Sequence, residues 1–201
     1  MPGDSPPAPR TAAEIGGIVV TIDDVALRAS AALGAAGVPF MLVGGFSSNY
    51  HGIPRSTKDA DFVVQLSVPL NEAFARTLGP EFEAEPQLSF ETNTGTQRQE
   101  FRVAGTLFKV EVFRLSEDAH DQERFRRRQA VMVDGRPVFF PTAEDVIIWK
   151  LRWARSKDRD DVRAVMGVQG EKLDWPYIEG WCERHGTRVL LEQIRRTVPK
   201  L

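Results

Sequence analysis

Apolar residues recur at helical spacing at Val25, Ala29, Ala32, Leu33 and Ala36, just after Thr21, Asp23 and Asp24. This pattern predicts an amphipathic helix capped by the threonine, with the aspartates favoured at its positive end. Residues 39–43 form a short apolar run ending at Gly44-Gly45 and read as a buried strand. A short helix resumes after Gly45 and stops near His51-Gly52, and residues 60–66 predict a second buried strand. Pro69 opens a helix through Leu78. Residues 88–92, 99–103 and 107–115 read as strands, with Gly95 and Gly105 at the turns. Residues 117–129 are polar and read as helix, and residues 130–133 and 137–140 flank Asp134-Gly135, a strong hairpin dipeptide. From Pro141 onward the pattern is helical, with Thr142, Asp158 or Asp160, Asp174 and Thr187 as candidate caps. The chain is therefore expected to be α+β. Residues 1–17 form a flexible tail, 18–140 a small mixed β-sheet core with flanking helices, and 141–201 a helical region packed on it.

Composition narrows the possibilities. With 201 residues, 42% apolar and 27% charged, the chain has ordinary globular usage and can bury a sizeable core. A net charge of -2 gives no general attraction for nucleic acid or membrane, so any polyanion site must be a local patch. The single cysteine, Cys182, excludes an internal disulfide framework, and the three scattered histidines exclude a zinc cluster. Residues 1–10 are rich in proline and small residues without an apolar stretch, unlike a signal peptide. No apolar run approaches the roughly 20 residues that cross a bilayer. A soluble, cytoplasmic protein without membrane association is the expectation.

The candidate chemistry is concentrated between Gly44 and Val64. Residues two apart on a strand share a face, so Asp59 and Asp61 project side by side while Ala60, Phe62 and Val64 anchor the other face. Two adjacent carboxylates repel unless a cation stands before them. Oxygen donors of this kind suit magnesium, which takes one or two carboxylates and completes its shell with phosphate and water. Upstream, Gly44-Gly45 opens a helix, where backbone amides can approach phosphate oxygens. Ser47 offers a hydroxyl and Arg55 or Lys58 a cation, while Glu111 shares a strand face with Lys109 and Phe113. Each feature alone has a plain reading: a turn, a solvated strand end, a lysine-paired acid. Their order along the chain is what makes the combination informative.

The segment resembles the signature of the DNA polymerase beta-like nucleotidyltransferase superfamily, in which a glycine pair precedes Asp-x-Asp. With His51-Gly52, Arg55, Thr57 and Asp59-Ala60-Asp61-Phe62 it is similar to the branch holding bacterial abortive-infection (AbiEii-like) and toxin–antitoxin nucleotidyltransferases. The resemblance implies a phosphate turn at Gly44 and Gly45, metal ligation by Asp59 and Asp61, and a third acid at Glu111, where the family commonly has Asp. It implies one or two magnesium ions, an NTP substrate, and an acceptor that is RNA (a tRNA 3′ end, for example) or a protein. It also brings the prospect of a cognate antitoxin.

A second region, residues 141–162, resembles the family's later motif, a helical lysine followed by Arg-x-Lys-Asp-x-x-Asp. Here these are Lys150, Arg155, Lys157, Asp158 and Asp161, implied to line and set the triphosphate site. On its own, Lys150 sits in an apolar helix and must snorkel out or meet an anion, and Lys157 can pair with Asp161. Arg124, Arg126, Arg127 and Arg128 form a basic run readable as a solvated face or as an RNA phosphate track beside Phe125. His51 and His120 are expected to be structural, and Trp149 and Trp153 to be core. Four functions stay open: an RNA-modifying, toxin-like transferase, an AMPylation-type protein transferase, an antibiotic-modifying transferase, which an acidic acceptor cleft would favour, and a catalytically weak nucleotide-binding partner subunit.

Overall fold

The computed structural model describes residues 12–15, 18–66, 70, 72–92 and 94–198. Strand β1 (Ala12–Ile15) pairs antiparallel with β2 (Ile18–Thr21). The end of the expected tail is therefore a strand arm, templated by the β-branched run at 18–21. Thr21 then caps α1 (Ile22–Ala35) in a reciprocal capping box: the Asp24 amide donates to Thr21 Oγ1 at 3.2 Å and the Thr21 amide to the Asp24 carboxylate at 2.9 Å. Next come β3 (Phe40–Leu42), α2 (Gly44–His51), β4 (Asp59–Val64), α3 (Glu72–Leu78) and β5 (Phe82–Ala84). They are followed by β6 (Ser89–Phe90), β7 (Gln97–Val103), β8 (Lys109–Arg114), α4 (Ala119–Arg126), β9 (Gln129–Val133) and β10 (Arg136–Phe140). The helices α5 (Ala143–Trp153), α6 (Ser156–Gln169), α7 (Trp175–Arg184) and α8 (Arg188–Arg195) complete the chain.

The main sheet runs β3-β4-β8-β7-β5, with β6 also pairing β7. β4 and β8 are parallel and the other pairs antiparallel, so the fold is α+β around a small mixed sheet, as expected. Alternation sorts the two faces. Ala60, Phe62, Val64, Phe101, Val110 and Val112 are buried in one core with residues of α1 and α3. The opposite face of β4 and β8 carries Asp59, Asp61, Lys109 and Glu111, and Phe125 of α4 covers its far end with Met41, Val43 and Val63. The C-terminal helices share a separate core of Val146, Ile147, Ile148, Leu151, Val162, Val165, Ile178 and Leu191 among others.

Several boundaries differ from the sequence pattern. β5 has only three residues and exists through its pairing with β7, which local periodicity does not reveal. The expected strand at 88–92 shortens to two residues. Pro69 lies outside the described residues. The helix expected to be capped by Asp158 or Asp160 begins at Ser156 with Arg155 as N-cap, because Ala154 ends α5 in the left-handed region at φ 53°. Thr187 precedes α8 without a side-chain cap and donates instead to Cys182 O at 3.5 Å. The hairpin holds as expected: Asp134 and Gly135 both have positive φ, 48° and 74°, as a tight two-residue turn needs.

Candidate active site

The parallel register of β4 and β8 sets Asp61 beside Glu111 and Asp59 beside Lys109. Above them α2 starts at Gly44, whose φ is +62° and where an added Cβ would lie 1.8 Å from Asp61 Oδ2. Only glycine allows the helix to begin this close over the carboxylate. Gly45 is tight for a second reason, since a Cβ there would lie 2.9 Å from Thr57 Oγ1. No side chain caps α2, so its first amides have no partner from a cap residue. Gly44, Asp59, Asp61 and Glu111 line one cavity of about 430 Å³ together with Arg98, Lys109, Lys150, Arg155, Lys157 and Asp158.

The acids are unequal. Burial pushes the Asp61 carboxyl up to about 7, and the negative charges of Glu111 and Asp59 add to it. Asp59 is raised as well, by burial first, with Lys109 pulling down and Glu111 pushing up. Glu111, by contrast, accepts from Lys109 Nζ at 2.6 Å and Arg98 Nη1 at 3.0 Å. Among the described residues no group of three or more His, Cys, Asp and Glu is placed to hold a metal ion. Glu111, expected as the third acid of a metal set, is paired with Lys109 and Arg98 and also bonds the Asp61 carboxyl. Asp59 and Asp61 are held less tightly by cations, with Lys109 no nearer to Asp59 than 3.9 Å. Two such carboxylates fit one hard divalent ion such as magnesium.

The second motif forms a buried charge network. Lys150 Nζ donates to Asp161 at 2.7 Å and to Asp158 at 3.1 Å. Arg55 grips Asp161 through both nitrogens, at 2.6 and 2.8 Å, and Arg155 holds Asp158 at 2.6 Å. Burial works against ionisation of Asp158 and Asp161, but these cations outweigh it and pull both below the ordinary carboxylate value. Lys150 and Arg55 are thus neutralised by aspartates, and Lys157 is an exposed cation on the cavity wall. Ser47 and Lys58 do not line the cavity. The Ser47 hydroxyl is buried and donates to Gly44 O at 3.1 Å, and Lys58 points to solvent.

A family model described as a nucleotidyl transferase of unknown function (DUF2204) matches residues 22–196. The chain belongs to this family. The match spans both the Asp59–Asp61 strand and the Lys150–Asp161 network, so the chain is a nucleotidyltransferase. The fold is shared with solved structures at low identity. The antibiotic-resistance factor ANT(2'')-Ia in complex with adenylyl-2''-tobramycin is similar at TM-score 0.52 and 16% identity, covering 83% of this chain and 99% of that one. Its solution structure gives 0.51 and 13%, covering 86% and 95%. An antigenic nucleotidyltransferase-like protein from Paracoccidioides brasiliensis gives 0.51 and 16%, covering 89% and 95%. A comparison with curated protein sequences finds no significant match.

In this nucleotidyltransferase the arginine run is not an open basic track. Arg124 is buried, paired with Asp121 at 2.6 Å and stacked 3.6 Å over Trp149. Arg127 bonds Asp145 at 3.2 Å and lies over Tyr177, and Arg128 packs on Phe125. Arg126 alone is well exposed, and it pairs with Glu123. Tertiary partners, invisible to a charge count, absorb the run. Trp149 and Trp153 are half-buried cavity walls outside the apolar cores, not core residues. His51 and His120 are structural: His51 Nε2 meets Pro141 O at 2.8 Å and His120 Nε2 meets Asp145 at 3.1 Å. Sequence reasoning missed Arg98 as a partner of Glu111. The alternation of Lys109 and Glu111 was a usable signal, but Arg98 enters only through the β7–β8 pairing. Among the described residues no helix is long and apolar enough to cross a membrane.

Proposed function

We propose that the chain moves a nucleotidyl group from a nucleoside triphosphate to an acceptor hydroxyl, with magnesium held by Asp59 and Asp61. The observation that carries the reading is the desolvated, mutually repelling pair beneath the glycine start of α2. When bound, the ion supplies positive charge to the triphosphate oxygens. The first amides of α2 at Gly44 and Gly45 and the Lys157 ammonium hold phosphate oxygens and stabilise charge growing on pyrophosphate. Lys150, fixed by Asp158 and Asp161, sets the first turn of α6 and so the place of Lys157. The acceptor oxygen bonds to the α-phosphorus as the bridging P–O bond breaks. Pyrophosphate leaves with the electron pair, and the hydroxyl proton passes to solvent.

For the acceptor we favour RNA. Seven Lys and Arg against six Asp and Glu line the cavity, which suits an anionic acceptor better than a polycationic one. A toxin role with a cognate antitoxin follows from the resemblance of the segment 44–62 to the abortive-infection branch. The test is incubation with each α-labelled NTP, magnesium and total RNA or lysate. Label is expected in an RNA band and lost to background in Asp59→Ala and Asp61→Ala, both still folded by circular dichroism. Undiminished labelling by either variant would sink the proposal. Label on a protein band would move the acceptor to a protein hydroxyl, and calorimetric NTP binding without any transfer would make the chain a nucleotide-binding subunit.

A further inference from the structure

Resting on the reading that Asp59 and Asp61 hold a divalent ion, we propose that Lys109 fills the place beside Glu111 where a second ion would sit, so that the site takes one divalent cation only. The backbone puts it there. Lys109 is the β8 residue facing Asp59, one step along the same sheet face from Glu111, which faces Asp61. Its ammonium lies 2.6 Å from Glu111, 3.3 Å from Glu100 and 3.9 Å from Asp59. Glu100 stands opposite Glu111 on β7, and Arg98 of the same strand reaches Glu111 at 3.0 Å.

Charge balance points the same way. Lys109 and Arg98 already bring two positive charges to Glu111, and Arg102 holds Glu100 at 2.7 Å. A second ion would have to bind a Glu111 oxygen within a few ångströms of an ammonium and a guanidinium, and the repulsion would be strong in this half-buried place. A magnesium ion also needs near-octahedral oxygen donors at about 2.1 Å, and Glu111 already accepts two charged donors. Lys109 is thereby a positioning residue: its ammonium, 2.6 Å from Glu111, occupies the carboxylate oxygen that a second ion would need.

Manganese, a paramagnetic substitute, makes the count measurable without turnover. The full chain is saturated with a non-hydrolysable triphosphate analogue and titrated with manganese, and bound ions are counted by electron paramagnetic resonance. Two ions a few ångströms apart give a spin-coupled spectrum, and one does not. One uncoupled ion per chain is expected for the wild type and for Lys109→Arg, rising to a coupled pair in Lys109→Met. A coupled pair in the wild type, or a single ion in Lys109→Met, overturns the proposal. The wild-type arm needs no variant to fold. If the wild type binds no ion beyond that carried by the free analogue, the aspartate-pair reading itself fails, and this inference falls with it.

Discussion

Lys150 shows how one residue's environment decides its role. Its helix is apolar on nearly every side, yet its ammonium is buried against Asp158 and Asp161 at 3.1 and 2.7 Å. Lys150→Met keeps the volume and leaves the buried Asp158 and Asp161 with only Arg155 and Arg55, a change expected to cost about 3 kcal/mol in urea denaturation. A loss below about 1 kcal/mol would show that the amine is not the group holding those aspartates. His185 makes a different prediction. Burial lowers its pKa to about 4, with the Arg152 and His120 charges and the Arg184 guanidinium acting the same way against Asp118. Its buried Nδ1 has no protein partner. The unfolded imidazole takes its proton near 6.5, well before the folded one, so this contribution to stability is full above pH 6.5 and is lost as pH falls toward about 4. An NMR titration should find the His185 midpoint near 4, and a midpoint at or above 6.5 contradicts the packing described.

At the scale of elements, the site is a junction between the start of α2 and the strand β4. The Val43 amide bonds Asp61 O at 2.7 Å, and Gly44 then turns through a positive φ over the Asp61 side chain. Gly44→Ala meets two penalties at once. The backbone conformation costs about 1–3 kcal/mol for a residue with a side chain, and the methyl group would occupy the carboxylate's place. Because misplacing a reacting group by about 1 Å costs roughly a hundredfold in rate, label transfer should fall at least that far. Thermal stability should drop only modestly. Transfer at wild-type rate would mean that Asp61 can move without consequence. The glycine pair thus serves the acid beside it as well as any phosphate.

Across the whole molecule, polar contacts tie the sheet core to the C-terminal helices. Arg55, in the loop before β4, clamps Asp161 of α6, and Gln169 of α6 donates to His51 O at 2.7 Å. Gly52 passes so close to α6 that a Cβ would lie 2.9 Å from the Val165 amide nitrogen. Through Arg55 the start of β4 and the Lys157 turn are held in one geometry. Arg55→Gln should therefore speed hydrogen exchange in residues 52–58 and 156–169 and raise KM for the triphosphate, with circular dichroism unchanged. Exchange unaltered in both segments would show that the clamp does not couple them.

Periodicity, caps and turn dipeptides were enough to predict the alternation of β4, the capped start of α1, the Asp134-Gly135 hairpin and the helical final third. Those signals are local: they depend on residues a few positions apart. The order of glycine pair, Asp-x-Asp and later lysine likewise pointed to nucleotidyl transfer. What only the tertiary structure decided is who neutralises whom. Glu111 pairs with Lys109 and Arg98, Asp158 turned from a helix cap into an anchor for Lys150, and Arg124 of the basic run lies in a buried pair with Asp121. Charge pairing depends on distances of about 3 Å across strands and helices far apart in the chain, and those distances exist only once the register of β4, β8 and β7 and the packing of α5 on α6 are set.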